Sequence, residues 1–298
     1  MLTAAAIGLA LAVGGVFLIE YLDDTIKTPE DVKRMTNTPV LGTIPRIEGE
    51  DYPEKLVAMT DPLSPVVEAF RLLRTNLQLQ SVDKPMRNLL ITSAGPSEGK
   101  SVVLANLAVV TAQSGKQVTL VDTDMRRPVQ HHIFSVDNAS GLNNYFKNSS
   151  SVAAIDMKDT GVKNLGLLTC GEVPENPAEL LGSDSMKTLV ETLDDKADLV
   201  LFDTPPSLVV ADAAIMSSYV DGVILVVDAR STRTGELKKC VEELKRVSAP
   251  MLGVVMNRMS ERNGGYYYYY YADGKKKKHR KGWRRTLDRA LARFKKKP

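Results

Sequence analysis

The segment Ala94–Ser101, AGPSEGKS, has the residue types of a phosphate-binding loop. Small residues let successive backbone N–H groups turn toward phosphate oxygens, and a helix starting at the end of the loop adds its positive N-terminus. In such loops the lysine, here Lys100, reaches the β- and γ-phosphates, and the hydroxyl that follows, here Ser101, binds Mg²⁺. The eight-residue frame is complete, with Ala94 where the first glycine is usual. We therefore expect a nucleotide site formed by Gly95, Pro96, Ser97, Glu98, Gly99, Lys100, Ser101 and Val102.

Aspartates end two other apolar runs of the sequence. TLVDTDMRRP places Asp122 and Asp124 at the end of one run, and DLVLFDTPP places Asp203 at the end of another. One strand-end acid could merely cap the turn that follows it, but three such acids beside a phosphate loop indicate a metal site. Arg126 and Arg127 are both candidates for contacting phosphate, and the sequence does not choose between them. We expect Mg²⁺ to be organised by Ser101, Asp122 and Asp203, and the catalytic set to be Lys100, Asp122, Asp124 and Asp203.

The elements that must position these residues are short apolar runs alternating with helical segments beyond Pro85. The apolar runs cover residues 88–93, 117–122, 164–170, 198–203, 222–228 and 251–257, and the helical segments include 100–114, 177–193 and 234–247. Near-continuous apolar strands separated by helices predict an α/β fold, with a mostly parallel sheet covered by helices on both faces. Ligands of such sheets bind at the carboxyl ends of the strands, where the candidate residues lie.

Further elements are predicted before this region. We expect a short helix over 29–35, an extended piece over 40–44, and a helix over 64–80. Ser64 can cap the last of these helices and Pro65 suits its first position. One apolar stripe on that helix is formed by Val66, Phe70, Leu73 and Leu77.

The composition is that of a globular protein with an unusual distribution of charge. Of 298 residues, 43% are hydrophobic and 25% are charged, and the two cysteines favour a reducing cytosol over a disulfide framework. Residues 275–298 hold thirteen Lys or Arg and one acid, Asp288, which gives +12. Because the whole chain carries +3, the preceding residues carry −9. An acidic body with a basic tail predicts an anionic partner for the tail.

The motifs AGPSEGKS, LVDTDMRRP and LVLFDTPP together resemble the bacterial tyrosine kinases of capsule and exopolysaccharide synthesis. These are P-loop proteins related to the MinD/ParA ATPases, and the three motifs match their Walker A, Walker A′ and Walker B sequences. The resemblance implies an ATP- and Mg²⁺-dependent tyrosine autokinase in which Asp124 accepts the tyrosine proton. Asn257 resembles the family's adenine-contact position, although asparagine at a strand end is also a common turn former. The acceptors implied are Tyr266, Tyr267, Tyr268, Tyr269, Tyr270 and Tyr271.

The predicted helix over 64–80 carries the family motif E-x-x-R-x-x-R as Glu68, Arg71 and Arg74. At 100° per residue these side chains fall on one arc, away from the apolar stripe. A solvated charged face is the ordinary explanation of such an arc. The resemblance instead implies that the three residues form subunit contacts in a homo-oligomeric ring.

The first residues predict a membrane anchor. Residues 2–19 contain no charge, and as a helix they span about 27 Å at ~1.5 Å per residue, close to the hydrocarbon thickness. A buried core helix is the alternative, and a signal peptide is disfavoured because no basic region precedes the apolar one. The resemblance implies a single-pass protein of the bacterial inner membrane with a cytoplasmic kinase domain. The sequence also fits a fragment of a longer co-polymerase–kinase fusion.

The expected organisation therefore has five parts. They are a transmembrane helix at 1–20, a juxtamembrane connector at 21–62, a P-loop kinase domain at 63–262, a tyrosine cluster with a basic linker at 263–282, and a basic amphipathic segment at 283–298. We expect the chain to be disordered from the end of residues 263–265 through Lys281. Beyond it, Trp283, Leu287, Leu291 and Phe294 form an apolar face flanked by arginines, which favours contact with anionic lipids over a solvated tail.

Three other functions remain to be weighed against the kinase. A MinD/ParA-type ATPase switch has the same fold, but its signature lysine is replaced here by Gly95. A non-catalytic adaptor of the polysaccharide machinery is disfavoured by the intact Walker residues. A nucleic-acid role has only charge in its favour, so we expect no nucleic-acid partner. The partners implied by the resemblance are further copies of the chain, the polysaccharide co-polymerase and export machinery, and a cognate tyrosine phosphatase.

Overall fold

The computed structural model describes residues 23–81, 85–148 and 155–260, together with positions 3, 7, 8, 13–15 and 21. The helices are α1 (Pro29–Thr36), α2 (Val57–Thr60), α3 (Pro65–Gln80), α4 (Lys100–Ala112), α5 (Gln130–Phe134), α6 (Leu142–Lys147), α7 (Pro177–Leu181), α8 (Asp184–Asp194), α9 (Asp212–Met216) and α10 (Thr234–Arg246). The strands are β1 (Val40–Pro45), β2 (Asn88–Ser93), β3 (Val118–Asp122), β4 (Lys158–Asp159), β5 (Leu165–Leu168), β6 (Leu199–Asp203), β7 (Gly222–Asp228) and β8 (Met251–Met259). Short 3₁₀ helices lie at Pro53–Lys55 and Ser217–Tyr219.

The strands form one eight-stranded sheet in the order β1-β8-β7-β2-β6-β3-β5-β4. Every neighbouring pair is parallel except β4 and β5. The predicted mostly parallel α/β sheet is therefore confirmed. Because β2, β3 and β6 are neighbours, their carboxyl ends bring the phosphate loop, Asp122 and Asp203 to one edge of the sheet, with Asp122 and Asp203 directly opposite each other in register.

Two hydrophobic cores cover the two faces of the sheet. The helix α4 is buried along almost its whole length, with twelve of its thirteen residues buried. A helix buried on every side packs in the protein interior. The surrounding residues therefore set the direction of the helix axis, and with it the direction in which the N-terminus faces. The helix therefore places Lys100 and Ser101 at the carboxyl edge of β2.

Much of the predicted connector at 21–62 contributes to the same fold. Strand β1 pairs in parallel with β8 at the edge of the sheet, and Leu41 and Ile44 lie in the core. Upstream, Ile26 N–H donates to Thr232 O at 3.0 Å and Thr234 N–H donates to Asp24 O at 2.9 Å. The described part of this segment is thus integrated into the sheet and not set apart from it.

Two local expectations differ from the structure. The helical segment predicted over 177–193 is two helices, α7 and α8, because Ser183 is extended (φ −84°, ψ 158°) and caps α8 by accepting from Met186 N–H. In α3 the buried residue of the first turn is Val67, while Val66 is only partly buried. Ser64 stands at the N-cap of α3, but its hydroxyl makes no capping bond and is buried without a partner among the described residues.

Several expectations fall on residues that the structure does not describe. The transmembrane helix at 1–20 lies almost wholly outside the described positions, and the tyrosine cluster, basic linker and amphipathic segment beyond residue 260 lie outside them entirely. Among the residues that are described, none of the helices combines the length and the apolar character needed to cross a membrane.

Candidate active site

The phosphate loop between β2 and α4 adopts two left-handed backbone conformations, at Ser97 (φ 63°) and Gly99 (φ 89°). A Cβ on Gly99 would lie 2.2 Å from Asn257 Nδ2, so only glycine fits there. Asn257 Nδ2 donates to Glu98 O at 2.8 Å, which ties the loop to the end of β8. The predicted adenine-contact residue therefore already uses its amide nitrogen on the loop, while its side chain also lines the cavity described below.

Lys100 lies at the centre of the candidate catalytic residues. Its Nζ lies 3.1 Å from Ser101 Oγ, 2.9 Å from Asp124 Oδ2 and 3.2 Å from Asp203 Oδ1. Burial of this ammonium favours its neutral form, but the negative charges of Asp203 and Asp124 outweigh burial and raise the pKa of Lys100. The lysine is therefore a fixed positive charge at the point where the three motifs meet.

Asp122 is fully buried and lies beside Asp203. Its Oδ2 accepts from the N–H groups of Val129 and Gln130, at 3.0 and 2.9 Å, and its Oδ1 has no hydrogen-bond partner within the described chain. Burial, reinforced by the charge of Asp203, raises the pKa of Asp122 well above its ordinary value. A cation near this pair would relieve both the desolvation and the repulsion.

The donor set at this edge fits Mg²⁺. The Ser101 hydroxyl and the Asp122 and Asp203 carboxylates are hard oxygen ligands of the kind Mg²⁺ prefers. Asp122 Oδ1 is a buried acceptor that has no hydrogen-bond partner among the described residues. Over the described ranges, no group of three or more His, Cys, Asp or Glu side chains is arranged to hold a metal by itself. In nucleotide sites, Mg²⁺ is commonly held by one or two carboxylates together with phosphates and water.

Glu98 supports the loop from behind and does not face the cavity. Its side chain accepts from Gly95 N–H at 3.0 Å and from the Thr232 hydroxyl, and it is only 4% exposed. Burial raises the pKa of Glu98 to about 7, against the opposing hydrogen bonds from Thr232 and Gly95. Since Thr232 O also accepts from Ile26 N–H, Glu98 joins the phosphate loop to the N-terminal segment.

The structure distinguishes the two arginines that follow Asp124. Arg126 forms a paired contact with the fully buried Asp212, with Nε–Oδ2 and Nη2–Oδ1 distances of 2.9 and 3.0 Å. Arg127 is exposed and lines the cavity, and its N–H donates to Asp124 Oδ1 at 3.0 Å. Arg127 is therefore the arginine placed to meet a phosphate or an acceptor.

A cavity of about 570 Å³ opens in front of the loop. One wall holds the phosphate-loop residues together with Asp124 and Arg127, while the other comes from the segment 47–55. Asn106, which is fully buried on α4, holds this second wall in place: its Oδ1 accepts from Ala58 N–H and its Nδ2 donates to Lys55 O, both at 2.9 Å. A volume of this size accommodates a nucleotide.

The three residues of the E-x-x-R-x-x-R motif separate into two environments. Glu68 and Arg71 form a salt bridge on the surface of α3, with side chains 45% and 33% exposed. Arg74 instead turns to the end of α4 and donates to Val110 O at 2.7 Å. Carbonyls in the last turn of a helix lack backbone partners and carry partial negative charge, which explains this contact. The expected common outward arc therefore applies to Glu68 and Arg71 only.

Sequence reasoning missed several residues that shape the site. Gln130, Asn106, Asp212 and Thr232 are fully or almost fully buried polar side chains that contact the loop, its helix or the strand-end region. None of them belongs to a spaced motif, and the contacts that tie them to the site join residues 29 to 134 positions apart. A polar residue inside an otherwise apolar run, such as Asn106, was the one available signal.

Comparisons with known proteins place the chain among related sequences. The ParA family model, described as NUBPL iron-transfer P-loop NTPase, matches residues 86–284. The tyrosine-protein kinase YwqD of Bacillus subtilis is 42% identical over 209 residues, which covers 70% of this chain and 88% of YwqD. Some longer relatives are matched only in part: the chain spans 38% of the Escherichia coli tyrosine-protein kinase etk, at 31% identity.

Solved structures give the same relationship. The crystal structure of the chimerical protein CapA2B2 has a TM-score of 0.73 at 37% identity, covering 78% of this chain and 100% of that one. The kinase domain of the Escherichia coli tyrosine kinase ETK has a TM-score of 0.74 at 31% identity, covering 81% and 98% respectively. Sequence motifs, site geometry and these relatives lead to one conclusion: the chain belongs to the bacterial tyrosine kinases, within the ParA-related P-loop NTPases.

Proposed function

We propose that this protein is an ATP- and Mg²⁺-dependent tyrosine autokinase that phosphorylates the cluster Tyr266–Tyr271, in trans between subunits, and thereby regulates capsule or exopolysaccharide production. The observation that carries the proposal is the convergence of Ser101, Asp124 and Asp203 around Lys100 Nζ, with Lys100, Ser101 and Asp124 lining the cavity. Family membership supports the acceptor class, and six consecutive tyrosines provide a local acceptor.

Each site residue has a role that follows from its position. Bound Mg²⁺-ATP supplies the phosphoryl group and part of the charge that neutralises its oxygens. Lys100 and the loop N–H groups stabilise negative charge that develops on the phosphates, in a buried setting where such contacts are strong. Ser101, Asp122 and Asp203 would hold the ion. Asp124, which lines the cavity, would receive the tyrosine proton, and Arg127 would orient the acceptor or phosphate.

The acceptor assignment is tested with a variant in which all six tyrosines of 266–271 are replaced by phenylalanine. Phosphate on the purified chain is located by mass spectrometry after incubation with Mg²⁺-ATP. We expect phosphotyrosine in 266–271 of the wild type and none elsewhere in comparable amount. When the six-phenylalanine variant is mixed with Lys100→Met, the intact tail of Lys100→Met should become phosphorylated, because the active site and acceptor lie on different chains. Unchanged phosphotyrosine in the six-phenylalanine protein would contradict the assignment.

An ATPase switch of the MinD/ParA type is the second candidate, and the match to the ParA family is the observation in its favour. The two candidates differ in product. ATP hydrolysis without modification of any tyrosine in the same experiment would select the switch. Gly95, at the position of the switch ATPases' signature lysine, favours the kinase.

We further propose a homo-oligomeric ring in which Glu68 and Arg71 contact a neighbouring subunit. Their exposure on α3 supports this role, while Arg74 is engaged within its own subunit. Arg71→Ala should lower the oligomer size measured by light scattering, and it also removes the donation of Arg71 Nη2 to Pro62 O at 3.1 Å within the subunit. Arg74→Ala should lower Tm and leave the oligomer size unchanged, since it removes a hydrogen bond from a charged donor to a carbonyl at a helix end, a contact worth about 1.5–3 kcal/mol. A wild-type oligomer size in Arg71→Ala would contradict the contact.

Attachment to the bacterial inner membrane is proposed from the uncharged residues 2–19, with a contribution from anionic lipids binding the basic tail. Alkaline washing of cell membranes removes peripheral proteins and leaves spanning ones, so full release of the chain would contradict a spanning anchor. The co-polymerase and export machinery and a tyrosine phosphatase are the further partners proposed from family membership.

A further inference from the structure

Gln130, the first residue of α5, is the least expected polar side chain of the site because it has no exposed surface at all. A glutamine amide has two donors and an acceptor, and burying them is unfavourable unless they are bonded. A fully buried glutamine therefore points to a specific set of partners.

Those partners belong to the three nucleotide-binding motifs. Gln130 Nε2 donates to Asp203 Oδ2 at 2.8 Å and lies 3.2 Å from Ser101 O, while the backbone N–H of Gln130 donates to Asp122 Oδ2 at 2.9 Å. Asp203 Oδ2 and Ser101 O can only accept hydrogen bonds. The amide atom that faces them must therefore be the nitrogen Nε2 and not the oxygen Oε1. One residue thus joins all three candidate metal-organising residues.

The other end of the amide has no partner in the described chain. Gln130 Oε1 is buried and accepts no hydrogen bond, and the same holds for Asp122 Oδ1. Gln130 contacts Asp203, and Asp122 lies opposite Asp203 in register. The two residues that carry the unsatisfied acceptors are therefore both neighbours of Asp203. Buried acceptors are normally satisfied, and at a nucleotide site the available donors are water molecules held by the cation.

We propose that Gln130 is a positioning residue for the Mg²⁺ end of the site. Its Nε2 holds Asp203 in place, and its Oε1 accepts from water in the shell of the bound ion. Gln130 therefore selects for nucleotide that carries Mg²⁺ over metal-free nucleotide. This inference rests on the Mg²⁺ dependence in the proposed function, and it does not require tyrosine to be the acceptor.

The test compares the affinity of the full chain for a fluorescent ADP in EDTA and in Mg²⁺. In the wild type, Mg²⁺ should tighten binding. In Gln130→Met, which keeps length and volume but makes no hydrogen bonds, that enhancement should shrink about tenfold, as is common when an outer partner of a metal site is lost. The affinity in EDTA should stay at the wild-type value, which a general loss of structure would not allow.

A matched control is Gln113→Met, since the amide of Gln113, at the far end of α4, donates to Ala58 O at 3.2 Å and contacts none of the candidate metal-organising residues in the part of the chain that the structure describes. It should leave the Mg²⁺ enhancement unchanged. Gln130→Asn, whose amide is one methylene too short to reach Asp203, provides a second variant should the methionine protein not fold, and it should lose the enhancement too. A wild-type enhancement in either folded Gln130 variant would overturn this inference alone. An absence of any Mg²⁺ effect in the wild type would overturn it together with the proposed Mg²⁺ dependence.

Discussion

Replacing Lys100 with methionine is expected to lower tyrosine phosphorylation by at least 100-fold. The lysine Nζ lies within 3.2 Å of Ser101 Oγ, Asp124 Oδ2 and Asp203 Oδ1, and it is the buried cation at the meeting point of these groups. Loss of one preorganised charge or donor at such a point commonly costs about 10²–10³ in rate. The measurement is phosphotyrosine formed per chain, by mass spectrometry, under saturating Mg²⁺-ATP.

The same change should also destabilise the protein. Without the ammonium, Asp124 and Asp203 are left as buried carboxylates lacking their counter-charge, and breaking a buried ion pair typically costs about 3–5 kcal/mol. The proximity of Asp122 makes this loss worse. Lys238→Met is a suitable control, because among the described residues Lys238 pairs with Glu242 alone, on the surface, and its side chain is 63% exposed. Equal phosphorylation in Lys100→Met and the wild type would refute the kinase assignment.

Asp122→Asn should show opposite effects on stability and activity. Burial and the charge of Asp203 raise the pKa of Asp122, so the native state holds its proton more tightly than the unfolded chain does. Stability then decreases as pH rises from the unfolded value of 3.8 toward the higher native pKa. An asparagine side chain does not ionise in this pH range, and its amide oxygen can still accept hydrogen bonds from the N–H groups of Val129 and Gln130. The variant should therefore be more stable than the wild type at neutral pH, measured without nucleotide and with EDTA.

The gain should appear as a higher Tm, at about 2–4 °C for each kcal/mol in a protein of this size. It should shrink as the pH is lowered toward 4, where Asp122 of the wild type is itself protonated. Phosphorylation should fall on the order of 100-fold, because a proposed ligand of the ion is lost. Asp61→Asn, at an exposed position outside the cavity, should change neither quantity. A lower Tm in Asp122→Asn would show that the two carboxylates do not repel one another in the folded protein.

These two predictions use one feature of the site, which is the packing of three carboxylates around a single lysine. Three carboxylates exceed the charge of one ammonium, so this arrangement is unfavourable for folding unless a further cation is present, and natural active sites often sacrifice stability in this way. Binding of Mg²⁺-nucleotide should therefore raise the stability of this protein at neutral pH more than it would raise that of a protein whose nucleotide site lacks buried acids.

Much of the fold followed from the sequence because the relevant signals are local. Parallel strands buried on both faces read as apolar runs, and the predicted runs at 88–93 and 222–228 coincide with β2 and β7. The break between α7 and α8 was missed, since Ser183 is as compatible with a helix interior as with an N-cap until its backbone is seen. The place of β1 in the sheet was missed as well, because strand pairing between residues 40–45 and 251–259 has no local signature.

The short motifs of the sequence were enough to predict the candidate site residues and their proposed chemistry. The spacing of Lys100 and Ser101 in the loop, and of Asp122, Asp124 and Asp203 at strand ends, is set by short motifs whose function depends on backbone conformation within a few residues. The tertiary structure was needed to show which partner each of these side chains contacts. It directed Arg126 to Asp212 and left Arg127 in the cavity, and it buried Gln130 between the carboxylates. These outcomes depend on contacts between residues far apart in the chain, where distance and burial, not spacing, determine the partner.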